Sequence, residues 1–125
     1  FPGGWKEDSR NAFTAEGRTD VENDIFNYTR TLLRFRKDAT ALHTGKMKQF
    51  IPYDGIYLFA RYNDNQTVLI ITNNNNQEKS VNLERYKEVL GTYTKAIEVT
   101  TGKEYSLSEA IQVPGKSCFV LDLKP

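Results

Sequence analysis

The stretch IYLFARYNDNQTVLII runs from Ile56 to Ile71 and decides the fold. Its first seven residues alternate between two sets of side chains, with Ile56 and Leu58 in one set and Tyr57 in the other, as in a half-buried strand. Residues 68–71 form a continuous run of apolar, mostly branched side chains, which is typical of a central strand. Between them, residues 63–66 (Asn-Asp-Asn-Gln) tolerate left-handed backbone. The pattern therefore predicts an antiparallel hairpin.

Shorter runs on both sides of this hairpin predict further strands. A weaker strand at 46–51 precedes a Pro-Tyr-Asp-Gly turn at 52–55, and one or two helical turns are expected at 84–90. Strands are also expected at 80–83, 95–100, 104–107, 110–113 and 118–123. Seven or eight short strands at this spacing predict a mainly β protein folded as an antiparallel β-sandwich.

The same pattern predicts the core of the sandwich. Leu69 and Ile71 should face one side of the central strand, and Val68 and Ile70 the other, because successive side chains point to opposite faces. The last strand adds three more core side chains, Phe119, Leu121 and Leu123.

One long α-helix is expected before the sandwich, over residues 20–37. Thr19 precedes Glu22 by three residues, which is the spacing of a capping box at the start of a helix. Apolar side chains then recur along one face at Val21, Ile25, Tyr28, Leu32 and Phe35. Burying side chains of this kind is worth about 1.5–3 kcal/mol each, so the face should pack on the sandwich or on a neighbouring chain.

Composition excludes several classes of partner. The 17 basic and 16 acidic residues leave a net charge of +1 without a basic run, which argues against nucleic acid and membrane surfaces. Cys118 is the single cysteine, and His43 has no partner at metal-ligand spacing, so neither a metal nor another cofactor is predicted. No apolar stretch approaches the roughly twenty residues of a membrane span.

The sequence motifs predict no catalytic residue in this chain. It has no phosphate-binding glycine loop and no nucleophile elbow, and its acidic residues mostly lie at a helix start or on strand positions that face solvent. Five tyrosines, at positions 57, 62, 86, 93 and 105, are interpreted as half-buried strand and cap residues rather than as a platform for sugars. Trp5 differs, because it lies in a Gly-rich loop at residues 1–18, where it either serves function or plugs against the helix.

Several of these features occur together in one known family. They are Phe1-Pro2-Gly3-Gly4-Trp5, Asp8, Asn11-Ala12-Phe13, the helix end at 32–37, Gly45-Lys46 and Asp54-Gly55-Ile56-Tyr57. In this combination the whole chain resembles the C-terminal end of the alpha-amylase superfamily of glycoside hydrolases, especially the bacterial neopullulanase and cyclomaltodextrinase group. Since residues 1–5 read as the interior of a loop, we expect the chain to be a piece of a longer protein.

The resemblance implies a division of the chain. Residues 1–44 would be the last βα loop and the eighth helix of a (β/α)8 barrel, and residues 45–125 the C-terminal β-sandwich domain. The catalytic Asp nucleophile, Glu acid/base and second Asp of the family would all lie upstream of Phe1. Trp5 and Asp8 would lie on the substrate side of the barrel, because βα loops build that face.

The resemblance also implies a function for the parent protein. It would hydrolyse or transglycosylate α-1,4-glucans such as maltodextrin, cyclodextrin or pullulan, and this chain would have a structural role with the upstream barrel as its partner. Two alternatives stay open: a carbohydrate-binding module, which exposed coplanar aromatics would favour, and an interface module of a homodimer, which a broad apolar patch away from the helix would favour. A bacterial source is implied, with either the cytoplasm or the periplasm as compartment.

Overall fold

The computed structural model describes all 125 residues, which divide into two compact units at residues 1–34 and 35–125. The mainly β fold with one long preceding helix is confirmed. The elements are α1 (Asp20–Asp38), α2 (Thr40–His43), β1 (Lys46–Gln49), β2 (Ile56–Tyr62), β3 (Thr67–Asn73), β4 (Lys79–Val81), a 3-10 turn (Leu83–Tyr86), α3 (Lys87–Leu90), β5 (Lys95–Glu98), β6 (Glu104–Ser106), β7 (Ile111–Val113) and β8 (Ser117–Lys124).

The strands form two antiparallel sheets. One has six strands in the order β1-β2-β3-β8-β5-β6, and the other consists of β4 and β7. The branched run lies on β3, which is central because β2 pairs with one of its edges and β8 with the other. In the pairing with β8, Leu69 lies opposite Leu121 and Ile71 lies opposite Phe119. This arrangement confirms the predicted antiparallel β-sandwich.

The predicted hairpin joins β2 to β3. The Asn63 side-chain oxygen accepts hydrogen bonds from the backbone amides of Asn65 at 3.0 Å and Gln66 at 2.9 Å, and the Asn63 amide donates to the Gln66 carbonyl at 3.0 Å. A short polar side chain that bonds to its own turn is the reason Asn suits this position. The turn at 52–55 is also present, with positive φ at Asp54 (51°) and Gly55 (72°).

The core lies on the face of the large sheet that carries Leu69 and Ile71, both fully buried, and Leu121 and Leu123 pack with them. The predicted alternation along β3 is therefore confirmed on this face. On the opposite face Ile70 is half-buried, as expected for a side chain with less cover.

Val68 shares the face of Ile70 and is nevertheless fully buried. The short helix α2, which the sequence did not predict, packs against β2 and β3 and buries its own Ala41. Its position is held by the Ala41 amide, which donates to Gln66 Oε1 at 3.3 Å, and by Asn63 Nδ2, which donates to Thr40 Oγ1 at 2.9 Å. The residues after α1 thus cover one end of the sheet.

Helix α1 begins with the predicted capping box. The Thr19 amide donates to Glu22 Oε2 at 2.8 Å and the Glu22 amide donates to Thr19 Oγ1 at 3.3 Å. No side chain of α1 is buried, and Val21 and Ile25 are 69% and 60% exposed. The expected packing of this face on the sandwich or on a neighbouring chain stays a prediction. None of the helices combines the length and the hydropathy of a membrane-spanning segment.

Candidate functional site

The loop at residues 1–18 brings the two sequence-predicted site residues, Trp5 and Asp8, onto one turn. Asp8 Oδ2 accepts hydrogen bonds from the backbone amides of Trp5 at 3.0 Å and Gly3 at 2.6 Å, and the Asp8 amide donates to the Trp5 carbonyl at 3.2 Å. The bonds from Trp5 and then Gly3 hold the pKa of Asp8 below its usual range. The Asp8 carboxylate therefore holds this turn in place.

Gly3 is required by the shape of this turn. Its φ of +102° is strained for any other residue, and a Cβ there would collide with Asn11. The Ala12 amide donates to the Pro2 carbonyl at 2.8 Å, which closes the loop on itself. With this backbone, Trp5 is 79% exposed. The alternative that Trp5 plugs against the helix is therefore wrong.

Two arginines that the sequence analysis did not single out tie the loop to α1. Both outer nitrogens of Arg10 contact the Glu22 carboxylate, at 2.5 and 2.7 Å. This side-chain hydrogen bonding, with the backbone bond from Thr19 next, lowers the pKa of Glu22 to about 2. Glu22 thus serves the capping box and the ion pair together. The sequence does not reveal this ion pair, because Arg10 lies 12 residues before Glu22 and no local motif links the two residues.

Arg18 makes the second connection. Its Nε donates to Asn23 Oδ1 at 2.8 Å, and one terminal nitrogen donates to the Ala12 carbonyl at 3.0 Å. Its guanidinium lies 3.9 Å from the centroid of the Phe26 ring, within the range of a cation–π interaction. The loop is held against the first turns of α1 by these contacts.

A cavity of about 440 Å³ lies beside these contacts and is lined mainly by apolar side chains, among them Phe1, Phe13, Ile25 and Phe26. The Phe1 and Phe13 rings are 6.2 Å apart and tilted by 47°. Tilted rings do not offer the flat surface on which a sugar stacks. This cavity consequently has the character of an apolar packing surface.

The second hollow lies in the β unit, between the turn at residues 52–55 and the 3-10 turn. It has a volume of about 360 Å³, and we call it the Tyr53 hollow. Lys79 Nζ contacts Asp54 Oδ2 at 2.8 Å, and Arg85 donates to the Ile51 carbonyl at 2.8 Å. The Arg85 guanidinium lies 5.6 Å from the centroid of the Tyr53 ring. The sequence pattern predicts a turn at residues 52–55, and no motif links this turn to Arg85, which is distant in the chain.

The five tyrosines interpreted as strand and cap residues are at least half-buried, since Tyr86 is buried and the other four are of intermediate exposure. That interpretation is confirmed. The Tyr57 and Phe59 rings are 5.5 Å apart and tilted by 33°, and the other aromatic pairs are tilted further or meet edge to face. The coplanar platform that would favour a carbohydrate-binding module is not among these ring pairs.

The most buried carboxylate, that of Glu98, serves the turn after β5. Its Oε2 accepts from the hydroxyls of Thr100 at 2.7 Å and Thr101 at 2.8 Å, and from the amides of the same two residues at 3.1 and 2.8 Å. Burial raises the pKa of Glu98, and these hydrogen bonds outweigh it, so the net pKa lies below the usual range. The arrangement stabilises an ionised carboxylate in a fixed turn.

Neither His43 nor Cys118 belongs to a group of side chains that could bind a metal ion. His43 ends α2, with its Nε2 at 2.6 Å from the Arg36 carbonyl oxygen, and Cys118 is a free thiol whose pKa burial raises. No group of three or more His, Cys, Asp or Glu side chains is placed to hold a metal ion.

Comparison with known families gives a match over most of the β unit. The sequence model of the family described as the cyclo-malto-dextrinase C-terminal domain matches residues 47–122. These bounds include every strand of the chain except for the ends of β1 and β8. The match thus covers the large sheet and the β4–β7 sheet together.

Solved structures share the fold. An alpha-amylase from Anoxybacillus is 22% identical with a TM-score of 0.72 over 98% of this chain. The alpha-amylase of Geobacillus thermoleovorans, solved with acarbose, is 18% identical with a TM-score of 0.70 over 86%. A debranching enzyme of Nostoc punctiforme is 22% identical with a TM-score of 0.59 over 81%. The chain spans only 26, 24 and 21% of the lengths of these three proteins.

Proposed function

We propose that this chain, which belongs to the cyclo-malto-dextrinase C-terminal domain family, is the non-catalytic C-terminal part of a bacterial enzyme of the neopullulanase and cyclomaltodextrinase group. Members of this family are C-terminal domains of alpha-amylase family glycoside hydrolases. The parent enzyme hydrolyses or transglycosylates α-1,4-glucans such as maltodextrin, cyclodextrin or pullulan. The family match over residues 47–122 carries this proposal. The three similar structures, two alpha-amylases and a debranching enzyme, agree with it.

The contacts of the carboxylates support a non-catalytic role. Retaining hydrolysis needs two carboxyl groups about 5 Å apart, one of them a proton donor with a raised pKa. In this chain the pKa values of Asp8, Glu22 and Glu98 are lowered instead, by backbone amides, by Arg10 and by threonine hydroxyls. Carboxylates held in the ionised form suit turns and caps rather than acid catalysis. We assign the Asp nucleophile, the Glu acid/base and the second Asp to a (β/α)8 barrel upstream of Phe1.

The exposed helix supports the assignment of α1 to the barrel. A barrel helix packs one face on the strands inside it, and the apolar face of α1, which includes Val21 and Ile25, is uncovered in this chain. Residues 1–44 are then the last βα loop and the eighth helix of the barrel. Residues 45–125 form the appended β-sandwich, whose role is to support the barrel.

Within this assignment the loop of Trp5 and Asp8 lies on the substrate side. Asp8 shapes the turn through the Gly3 and Trp5 amides, and the exposed Trp5 ring is free to contact a glucan. In the intact enzyme, Trp5→Ala should lower kcat/KM by about tenfold, the effect of losing one contact worth about 1.4 kcal/mol. Phe13→Ala is the matched control, because Phe13 is an exposed aromatic of the same loop and contacts Phe1. Equal effects of both variants would contradict a specific role for Trp5.

A comparison of two proteins tests the proposal as a whole. The coding sequence upstream of Phe1 should supply seven further βα units bearing two catalytic Asp and one Glu. The 125-residue chain and the chain restored upstream are then incubated with maltotriose, pullulan and β-cyclodextrin, and reducing ends are measured against a buffer blank. The restored chain should release them and the 125-residue chain should not. Turnover by the 125-residue chain alone, abolished by a single Asp or Glu substitution within it, would overturn the proposal.

A further inference from the structure

The turn that carries Trp5 is shaped by bonds within the turn itself. Asp8 accepts hydrogen bonds from the backbone amides of Gly3 and Trp5 at 2.6 and 3.0 Å. Both bonds join residues of the same turn, so they fix its conformation and leave its position relative to α1 to other contacts. The Trp5 ring is 79% exposed, so packing of the ring does not fix that position either. The placement of Trp5 therefore depends on the contacts between the loop and the helix.

Arg10 follows Asp8 closely in the chain and connects this turn to the start of α1. Its two terminal nitrogens contact the two oxygens of the Glu22 carboxylate at 2.5 and 2.7 Å. A planar guanidinium that meets a carboxylate in this forked way fixes direction as well as distance. Glu22 is itself held at the helix start, because its Oε2 accepts a hydrogen bond from the Thr19 amide at 2.8 Å. Arg10 thus relates the turn of Trp5 to a fixed point of the helix.

Further hydrogen bonds between the loop and α1 start closer to the helix in the chain. Arg18 Nε donates to Asn23 Oδ1 at 2.8 Å, and Asn23 Nδ2 donates to the Ala15 carbonyl at 2.9 Å. These bonds hold the last residues of the loop. Of these contacts, the one made by Arg10 is nearest to Trp5 in the chain and so controls its position most directly.

The exposure of the Arg10–Glu22 pair separates a positioning role from a folding role. The two side chains are 39% and 37% exposed. Ion pairs with this access to water contribute little to the free energy of unfolding, because the solvent weakens the attraction and two long side chains lose conformational freedom. A misplacement of a binding group by about 1 Å, by contrast, can lower a rate by about a hundredfold. Loss of the pair should therefore displace Trp5 more than it destabilises the chain.

We infer that Arg10 is a positioning residue, whose forked ion pair with Glu22 holds the Trp5 ring where it contacts a glucan. The contact between Trp5 and the glucan rests on the proposed function of the parent enzyme. In this role Arg10 acts through Trp5, does not itself contact the glucan and takes no part in bond cleavage. It sets the distance between the turn and the start of α1.

Fluorescence anisotropy of the 125-residue chain tests the positioning without any substrate. Trp5 is the single tryptophan of the chain, so the anisotropy decay reports the motion of this ring. Arg10→Ala should increase the amplitude of the fast local motion by about twofold or more. Arg30→Ala is the matched control and should leave it unchanged, because Arg30 is an exposed arginine of α1 whose hydrogen bond to Asn27 stays within the helix. A decay in Arg10→Ala equal to that of the unchanged chain would overturn the inference.

Kinetics of the enzyme restored upstream test whether this position matters for glucan binding. Arg10→Ala should lower kcat/KM for maltoheptaose by about threefold to tenfold, through KM rather than kcat, because a contact to the bound substrate is lost. In the double variant with Trp5→Ala, kcat/KM should lie within about twofold of that of Trp5→Ala alone, since the ring that Arg10 positions is then absent. A merely structural arginine would instead give effects that multiply in the double variant.

The two experiments keep this inference apart from the proposed function. Multiplying effects of Arg10→Ala and Trp5→Ala, or a loss confined to kcat, would overturn the positioning role. A restored enzyme that does not act on glucans would contradict the proposed function alone. The anisotropy of the 125-residue chain would then still decide whether Arg10 fixes the position of Trp5.

Discussion

Helix α1 and strand β3 carry similar apolar side chains in regular patterns, and their exposures are opposite. Ile71 on β3 is fully buried, because β2 and β8 flank the strand and the core side chains cover its inner face. Ile25 on α1 is 60% exposed, and no side chain of the helix is buried. Apolar periodicity therefore identifies the face that needs a partner, and it does not say whether the same chain supplies that partner.

Matched isoleucine truncations should give the largest difference between the two regions. Ile71→Ala removes fully buried atoms and should lower the free energy of unfolding by about 2–5 kcal/mol. Ile25→Ala removes mostly exposed atoms and should change it by no more than about 0.5 kcal/mol. Urea denaturation of the 125-residue chain, followed by tyrosine fluorescence, measures both. Similar losses for the two variants would show that α1 is covered in solution, for example by a second copy of the chain.

The same truncation of Ile25 sharpens the comparison in the enzyme restored upstream. If the barrel covers the helix, Ile25→Ala should then cost about 2–5 kcal/mol, as in a core. Asp24→Ala is the control, because this neighbour lies outside the predicted apolar face. A restored enzyme as insensitive as the 125-residue chain would contradict the assignment of α1 as the eighth barrel helix.

Removing a buried carboxylate should cost more stability than removing an exposed one, with a smaller difference than between the two isoleucines. Glu98→Ala leaves the amides of Thr100 and Thr101 without their acceptor and should cost about 1–3 kcal/mol. Glu104→Ala, which removes only the exposed ion pair with Lys95, should cost no more than about 1 kcal/mol. Thermal unfolding followed by circular dichroism compares the two. Equal melting temperatures would mean that the turn after β5 does not depend on Glu98.

Removing the cap of α1 should cost less stability than removing a core side chain, and the loss should still be measurable. Thr19→Ala removes the hydroxyl that accepts a hydrogen bond from the Glu22 amide, and it should cost about 0.5–2 kcal/mol of helix stability. The readout is amide hydrogen exchange at Glu22 and Asn23 in the first turn. Thr29→Ala, in an exposed position within the helix, is the control and should leave exchange in that turn unchanged. Unaltered exchange in Thr19→Ala would show that the Arg10–Glu22 pair alone maintains the helix start.

The smallest expected effect is a local titration. Glu22 should titrate with a pKa of about 2, and Arg10→Ala should raise that pKa toward 4.5 by removing the hydrogen-bonded guanidinium. Because the pKa is lower in the folded state, the contribution of Glu22 is complete above the ordinary glutamate pKa and is lost as the pH falls toward 2. The ¹³C shift of the side-chain carboxyl group reports this titration directly. An unchanged pKa in Arg10→Ala would show that Thr19 is the main cause.

Most of the regular structure could be predicted from the sequence, and the exceptions have physical reasons. The β2–β3 hairpin and the capping box of α1 were predicted with their residues, since each depends on bonds within a few positions of the chain. Helix α2 was missed because four residues are too few to show a helical period. Its position depends on contacts with Asn63 and Gln66, which no local pattern records.

The candidate sites were predicted less completely. The link between Asp8 and Trp5 was within reach of the sequence, since a Gly-rich turn precedes the carboxylate by a few residues. The plug interpretation of Trp5 was wrong because burial depends on what surrounds the ring, and the loop contacts α1 through Arg10 and Arg18 instead. The Tyr53 hollow joins residues from separate elements, so only the folded chain shows it.

The sequence by itself determined the strands, the hairpin turn and the helix with its cap, because backbone sterics and short-range hydrogen bonds act between residues close in the chain. The tertiary structure decided the rest: the order of the strands in the sheet, the burial of Val68 on the outer face and the position of Arg85 beside Tyr53. These depend on contacts between distant residues, where many pairings satisfy the same local pattern. Only the packing of the whole domain selects among them.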